Sequence, residues 1–337
     1  MTTVGGRFEI KKLIAKGGVA EIYEAYDKKL GIRVALKLPR SDVPFDASKL
    51  LLNEARTLST LNHPYIVRLI AAGRHKGRPY VALELLKGRP LNKILTPPIN
   101  PVIALDLTLE VADAVAYANS LGTAHRDVKP ANIIVSPRRL VLIDFSVSAP
   151  LNGRGPKAET PGFSCPEAAL GLATPTCDTY SLAALLSWLV TGDPQKPGGP
   201  YWRLLAACLN PDPSQRPWSP REFVMALREF APLGPRLVIS GKAYPLARDK
   251  PIRIGRMPGC EVTIRDPNKF VSPIHAVIYP EEGGYVIVDN NSLNGLFLYR
   301  NGRYYKIQQA QLVDGDIIIL CYSEKKGPYV VIKYRSY

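Results

Sequence analysis

The stretch His125-Arg126-Asp127-Val128-Lys129-Pro130-Ala131-Asn132 decides how this chain is read. It sets a carboxylate, an ammonium group two residues on and an amide five residues on between apolar segments. Three such groups can hold a hydroxyl, a phosphate and a metal ion in one small volume, which is what phosphoryl transfer requires. A further carboxylate, Asp144, follows Asn132 by twelve residues and is itself followed by Phe145. Upstream, Leu105, Leu109, Ala112, Val115 and Ala116 recur at helical spacing, so a helix over 103–121 leads into the loop.

The order and spacing of these residues resemble the active centre of eukaryotic-type (Hanks-type) Ser/Thr protein kinases. The resemblance implies a bilobal α+β protein-kinase fold, ATP and Mg²⁺ (or Mn²⁺) as cofactors, and protein substrates offering Ser or Thr hydroxyls. Asp127 would accept the hydroxyl proton, Lys129 would neutralise the transferring group, and Asn132 with Asp144 would hold the metal. Lys129, two residues after Asp127, is the feature shared with the Ser/Thr-specific group. His125 is assigned to packing behind the loop, because Asp127 already supplies the base.

Other landmarks of that family follow in order. Strand-like alternation over residues 7–38 brackets Ile14-Ala15-Lys16-Gly17-Gly18-Val19-Ala20, which with Glu21 and Ile22 resembles the glycine-rich loop covering nucleotide phosphates. Ala15 and Ala20 stand where the family has glycine, which makes a stiffer lid. Lys37 of Val34-Ala35-Leu36-Lys37 would hold the α- and β-phosphates. Its ion-pair partner would be Glu54, on an amphipathic helix over 47–61 that His63-Pro64 ends. His63 is given a structural role. Residues 80–86 read as a buried strand entering a connection at Lys87-Gly88, where the backbone of Glu84 and Leu86 would meet the adenine edge. Ile14, Ile22, Ala35, Leu83 and Ile134 would form the apolar walls. Residues 160–167 are similar to the end of an activation segment: Thr160 would face Asp127 and Lys129, Glu167 would pair with Arg216, and Asp178 would anchor the loop.

Two departures from the family pattern bear on regulation. Ser146 replaces the glycine after Asp144-Phe145 and restricts the backbone there. Residues 149–159 contain no Ser, Thr or Tyr, although Arg126 belongs to the type of loop whose arginine meets a phosphorylated residue. Glu159, or another fixed carboxylate, is therefore expected to satisfy Arg126 in place of phosphate.

Beyond a short proline-rich link at 231–235 the pattern changes to brief alternating strands broken by Gly, Pro, Asn and Asp. They lie at 237–240, 244–247, 252–254, 262–264, 276–279, 285–288, 296–299, 317–321 and 329–333, and an all-β sandwich follows. Gly255-Arg256, Ser272-Pro273-Ile274-His275 and Asp289-Asn290-Asn291-Ser292-Leu293-Asn294-Gly295 resemble the conserved loops of forkhead-associated (FHA) domains, which bind phosphothreonine peptides. By that resemblance Arg256 would pair with the phosphate, Ser272 would donate a hydrogen bond to it and Asn294 would hold the peptide backbone. His275 and Gly255 look architectural.

A length of 337 residues and an apolar content of 46% suit about two domains with a core each. The longest apolar run, 181–190, is too short and interrupted to cross a bilayer, and the first residues lack the pattern of a secretion signal. A cytoplasmic protein without membrane partners is expected. The five cysteines lie far apart with no CxxC pair, which predicts separate buried thiols, neither a disulfide frame nor a zinc site. The net charge of +15 is shared: residues 233–337 carry 15 − 9 = +6 and the rest 29 − 20 = +9. No Lys/Arg run with interleaved aromatics occurs, so nucleic acid is not an expected partner.

The expected plan is a kinase domain over 7–230, the link, and an FHA domain over 236–337. It would bind phosphothreonine-containing proteins or phosphosites of the chain itself. The alternative is a catalytically weak scaffold that binds ATP and phosphopeptides, suggested by Ala15, Ala20 and Ser146.

Overall fold

The computed structural model describes residues 3–43, 49–216, 219–230 and 234–336. The expected helix start at Ala47, Pro217 and most of the 231–235 link lie outside the described residues. The first lobe is an antiparallel sheet of β1 (Thr3–Val4), β2 (Phe8–Lys16), β3 (Ala20–Asp27), β4 (Ile32–Pro39), β5 (Leu69–His75) and β6 (Arg78–Glu84), in the order β1-β2-β3-β4-β6-β5. Helix α1 (Lys49–Leu58) turns Leu51, Glu54, Ala55 and Leu58 inward. A buried glutamate on that apolar face needs a cation, and β4 supplies it as Lys37.

The second lobe holds α2 (Pro101–Ser120), α3 (Cys177–Thr191), α4 (Trp202–Cys208) and α5 (Pro220–Arg228). Asn100 caps α2 by accepting from Val102 N, and Ser219 with Glu222 forms a capping box on α5. Three short antiparallel pairings carry the loops between lobes: β7 (Arg89–Pro90), β8 (Thr123–Ala124), β9 (Ile133–Ser136), β10 (Arg139–Leu142) and β11 (Ala149–Pro150) join as β10-β9-β7 and β11-β8.

The C-terminal region is a sandwich. One sheet runs β13 (Lys242–Pro245), β12 (Arg236–Ile239), β22 (Gly327–Arg335), β21 (Ile317–Ser323), β18 (Leu296–Arg300), β19 (Arg303–Ile307). The other runs β15 (Val262–Thr263), β14 (Ile252–Gly255), β16 (Ala276–Glu281), β17 (Gly284–Asp289), β20 (Gln309–Gln311). All nine expected strands are present within a few residues of their expected places. Strands β19 and β20 were not expected, because both lie at sheet edges with mostly polar or exposed residues that give no alternation.

The sandwich is packed against the rest of the chain, not merely tethered to it. In β21, Ile318 and Leu320 enter the sandwich core, while Ile317 and Ile319 face outward and join Tyr299 and Val331 in the core of the N-terminal part. At roughly 2 kcal/mol per fully buried aliphatic side chain, this contact favours docking by several kcal/mol. Helix α2 covers the facing side and offers one acidic stripe at i, i+4 and i+7. Asp106 meets Arg236 at 3.2 Å, Glu110 accepts from Gly241 N at 2.9 Å, and Asp113 meets Lys333 at 2.7 Å. Backbone bonds close the joint, with Val331 N donating to Arg138 O (2.8 Å) and Tyr299 Oη donating to Asn62 O (2.6 Å). His63 fills the space between, stacked on Tyr117 at 5.0 Å and edge-on to Tyr299 at 5.2 Å, and burial pushes its pKa down to about 3. Its structural role holds.

One expectation about cysteine is corrected. Cys165 and Cys177 form a disulfide that ties residues 160–167 to the start of α3, while Cys208, Cys260 and Cys321 are buried free thiols. A separation of 12 residues has no motif; only the fold back of the chain, with Cα atoms 5.4 Å apart, brings the pair together.

Candidate active site and phosphopeptide face

The loop at 125–132 is fixed from behind by Asp178 at the start of α3. Its carboxylate, fully buried, accepts from His125 N (2.8 Å), Arg126 N (2.7 Å) and Asn119 Nδ2 (2.9 Å). Arg126 takes a left-handed backbone, φ 69°, which those bonds hold in place. His125 is buried edge-on to Phe145 at 4.4 Å, and its Nδ1 accepts from Asp127 N at 3.2 Å. It packs, as expected, and does not reach the cleft.

Four polar side chains then meet. Thr160 Oγ1 donates to Asp127 Oδ1 at 2.7 Å, and Lys129 Nζ donates to Thr160 Oγ1 at 2.9 Å and lies 2.8 Å from Asp127 Oδ2. Asn132 Nδ2 donates to Asp127 Oδ2 and to Asp127 O, both at 2.9 Å. A hydroxyl thus already sits within proton-accepting reach of Asp127. With its amide nitrogen committed, Asn132 has its carbonyl oxygen left as a hard donor.

A second set forms across the lobes. Lys37 Nζ lies 2.8 Å from Glu54 Oε2 and 3.0 Å from Asp144 Oδ1. Burial alone would lower the Lys37 pKa, but the two carboxylates outweigh it and raise it. Glu54 is fully buried, which raises its pKa despite Lys37. Asp144 is held down at about 2, since Lys37 and a hydrogen bond from Ser146 together overcome its burial. Ile143 N donates to Asn132 O (2.9 Å), which keeps Asp144 beside the loop. An ionised carboxylate with a third of its side chain exposed and an amide oxygen are the hard oxygen ligands that a divalent cation such as Mg²⁺ prefers.

The residues expected to cover the nucleotide all lie on one hairpin. Ile14, Ala15 and Lys16 end β2, Gly17, Gly18 and Val19 form the turn, and Ala20, Glu21 and Ile22 begin β3. Gly17 N donates to Ala20 O (2.8 Å), and Arg40 holds Gly17 O from outside at 3.2 Å. The Glu84 carboxylate turns to Arg139 and Arg68 N and its N–H donates to Arg68 O (3.0 Å), so its backbone carbonyl is what remains for an adenine. Leu86 follows at the hinge, partly buried.

Among the described residues no carboxylate bonds the Arg126 side chain, and Glu159 is not its partner; Asp178 and Glu167 act on its charge without pairing with it. The Arg126 side chain is fully buried and donates to Val147 O and Ala168 O, both at 3.0 Å, while Glu159 is exposed. Gly155 packs against the guanidinium, so close that a Cβ there would be 2.5 Å from Arg126 Nη1. Two further residues act on the site without a sequence signal. Asn53 Nδ2 donates to Ser146 O (2.9 Å) and Ser148 O (2.8 Å), and Thr57 bonds Ser148 Oγ (2.7 Å), so α1 clamps the segment after Asp144. Glu167 and Arg216 form the expected pair, bidentate at 2.7 and 2.9 Å.

On the sandwich, Arg256, Ser272 and Asn294 come from three loops at one end. Arg256 N donates to Ser272 O (3.1 Å), Ser272 Oγ accepts from Leu293 N (3.1 Å), and Asn294 Nδ2 donates to Phe270 O (2.8 Å). Arg256 Nε has no partner among the described residues. A Cβ on Gly255 would lie 2.0 Å from Pro273 O, so only glycine lets these loops close. His275 is buried beneath them, its Nδ1 accepting from Ser272 N at 3.2 Å.

Residues 8–200 match the family described as the protein kinase domain, more than half of the chain, and residues 252–321 match the FHA domain. The chain belongs to the protein kinase domain family. It is 37% identical over 206 residues to the Serine/threonine-protein kinase PknA of Mycobacterium tuberculosis, covering 56% of this chain and 48% of PknA. It is 31% identical over 200 residues to PrkC of Bacillus subtilis, covering 56% of this chain and 31% of PrkC. The chain thus spans about half or less of the length of these curated relatives. Among solved structures, the Mycobacterium tuberculosis PknI kinase domain (C20A mutant) matches with a TM-score of 0.55 and 24% identity, over 68% of this chain and 96% of that one, which is a likeness of fold. No helix among the described residues of this kinase-family chain is long and apolar enough to cross a membrane.

Proposed function

We propose that the chain transfers the γ-phosphoryl group of ATP to Ser or Thr hydroxyls of proteins, and that its FHA domain binds phosphothreonine peptides. We assign the kinase domain to 7–230, the link to 231–235 and the FHA domain to 236–337. The supporting observation is that Asp127 and Lys129 meet on one hydroxyl, with Asn132 bonded to the Asp127 carboxylate, and that Lys37 pairs with Asp144 across the lobes. In the transfer, the acceptor oxygen bonds to the γ-phosphorus as the bond to the β-bridging oxygen breaks, ADP leaves, and the hydroxyl proton passes to Asp127. Lys129 neutralises the transferring group, and Lys37 holds the α- and β-phosphates under the Ile14–Ile22 hairpin, with the backbone of Glu84 and Leu86 at the adenine edge. Asn132 and Asp144 would hold Mg²⁺, which spreads the negative charge of the loose transition state.

The test is incorporation of labelled phosphate from ATP with Mg²⁺ into a general protein acceptor, with Asp127→Asn as control. Loss of at least a hundredfold supports transfer at this site; incorporation unaffected by the substitution refutes it. A scaffold without catalysis, suggested by Ala15 and Ala20, predicts ATP binding and no incorporation in either protein. For the FHA domain, Arg256→Ala should abolish phosphothreonine-peptide binding while transfer persists.

A further inference from the structure

At the hinge residues Glu84–Lys87 a cavity of about 460 Å³ opens between the kinase lobes and the sandwich; neither Lys37 nor Asp144 lines it, though Glu84, Leu86 and Ile134 are shared with the expected adenine site. Its walls carry seven Lys and Arg side chains against the single carboxylate of Glu84. Arg139 answers Glu84 and Arg33 answers Glu24, which leaves Arg68, Lys87, Arg138, Lys325 and Lys326 without a carboxylate partner among the described residues, although Arg68 donates to the Glu324 and Lys325 carbonyls and Arg138 lies over the Tyr329 ring at 4.3 Å. Arg68 and Arg138 each keep a buried Nε with no partner among the described residues. The rest of the wall is mostly apolar, with Ser136 and Asn268 among it, and includes the rings of Phe270 and Tyr329, edge-on at 5.1 Å. So strong an excess of one sign in a partly enclosed site attracts an anion.

The cavity adjoins the phosphopeptide face through Phe270. Phe270 lines it, the Phe270 carbonyl accepts from Asn294 Nδ2, and Ser272 lies two residues further on. A peptide gripped at Arg256, Ser272 and Asn294 therefore has its flank within reach of the Phe270 ring and the cations behind it. We infer that this cavity, built by both domains, receives an acidic flank of the phosphothreonine peptide, so that the chain selects phosphosites followed or preceded by Asp and Glu. This inference rests on the FHA reading given above. Its basis is charge complementarity and the adjacency of Phe270 to Asn294, and it makes the hinge side of the kinase domain part of the phosphopeptide site.

The test is fluorescence anisotropy with the full chain and three peptides: a phosphothreonine peptide with Glu flanks, the same with Gln flanks, and the Glu-flanked peptide without phosphate. The Glu-flanked phosphopeptide should bind roughly tenfold tighter than the Gln-flanked one. Lys325→Glu with Lys326→Glu should cancel that preference and leave the Gln-flanked peptide unchanged, and Lys87→Glu, from the kinase side, should weaken it too. Equal binding of the two phosphopeptides by the native chain overturns the inference, as does a preference that survives both sets of variants. A preference lost with the lysines of the sandwich but untouched by Lys87→Glu overturns the shared cavity. If instead phosphate makes no difference, or Arg256→Ala has no effect, the FHA reading itself fails.

Discussion

Glu110 offers a test of the joint between the two domains. It lies on α2 fully buried under the sandwich, with Oε1 accepting from Gly241 N at 2.9 Å and Oε2 without a partner among the described residues. Burial raises its pKa from 4.5 to about 8, with Asp106 and Asp113 adding to the rise and the Gly241 N–H and Arg335 opposing it. A carboxyl whose pKa is higher in the folded chain binds its proton more tightly there. Its contribution to stability is complete below about pH 4.5 and is lost as pH rises towards 8. Those two values make the loss about 2 kcal/mol at pH 6 and about 4 kcal/mol at pH 8. Glu110→Gln keeps the shape and the carbonyl acceptor but never ionises. Guanidinium denaturation of both proteins at pH 4, 6 and 8 should therefore find the variant close to the native chain at pH 4 and increasingly more stable above it. A difference that stays flat with pH, or a variant less stable at pH 8, would refute a buried, neutral carboxyl at the joint.

Other outcomes follow from the site. Reducing the Cys165–Cys177 disulfide opens a 12-residue loop and should cost about 3 kcal/mol in denaturation experiments, an effect absent from a Cys165→Ser, Cys177→Ser double variant. Lys37→Met leaves Glu54 and Asp144 without their cation and should cost about 3 kcal/mol at pH 7 and abolish transfer. Because Asp144 is held at about 2, the part of that advantage due to it is full above about pH 4 and fades as pH falls towards 2. Gly155→Ala drives a methyl against Arg126 Nη1 and should destabilise by about 1–3 kcal/mol and lower activity. Phosphatase treatment should leave activity unchanged, since both Arg126 terminal nitrogens are already bonded to carbonyl oxygens.

The catalytic loop was legible because its chemistry resides in side chains at fixed offsets, and those offsets survive folding. Arg126 was misread for the opposite reason: its partners are main-chain carbonyls, which leave no mark in a sequence, so a charged residue was expected to have a charged partner. Asn53 and Thr57 were silent too, since a polar residue beside Glu54 on an amphipathic helix is ordinarily solvated. The docking of the sandwich did leave a trace. Ile317-Ile318-Ile319-Leu320 is apolar at every position, where a sheet with one wet face alternates, and α2 carries Asp106, Glu110 and Asp113 on one stripe of an otherwise apolar helix. Both patterns signal a covered second face, but neither names what covers it.

That shared core changes what the proposed link at 231–235 would be for. A flexible leash would let the reader module roam and sweep many distances, whereas a fused body fixes the gap between Arg256 and Asp127 once for all partners. The search for the acceptor must then be made by the partner's own polypeptide. Sites separated by too few residues to bridge the gap gain nothing from being captured, and those whose natural span matches it gain most. On the proposed function, the molecule would in this way measure its partners by length as well as by chemistry.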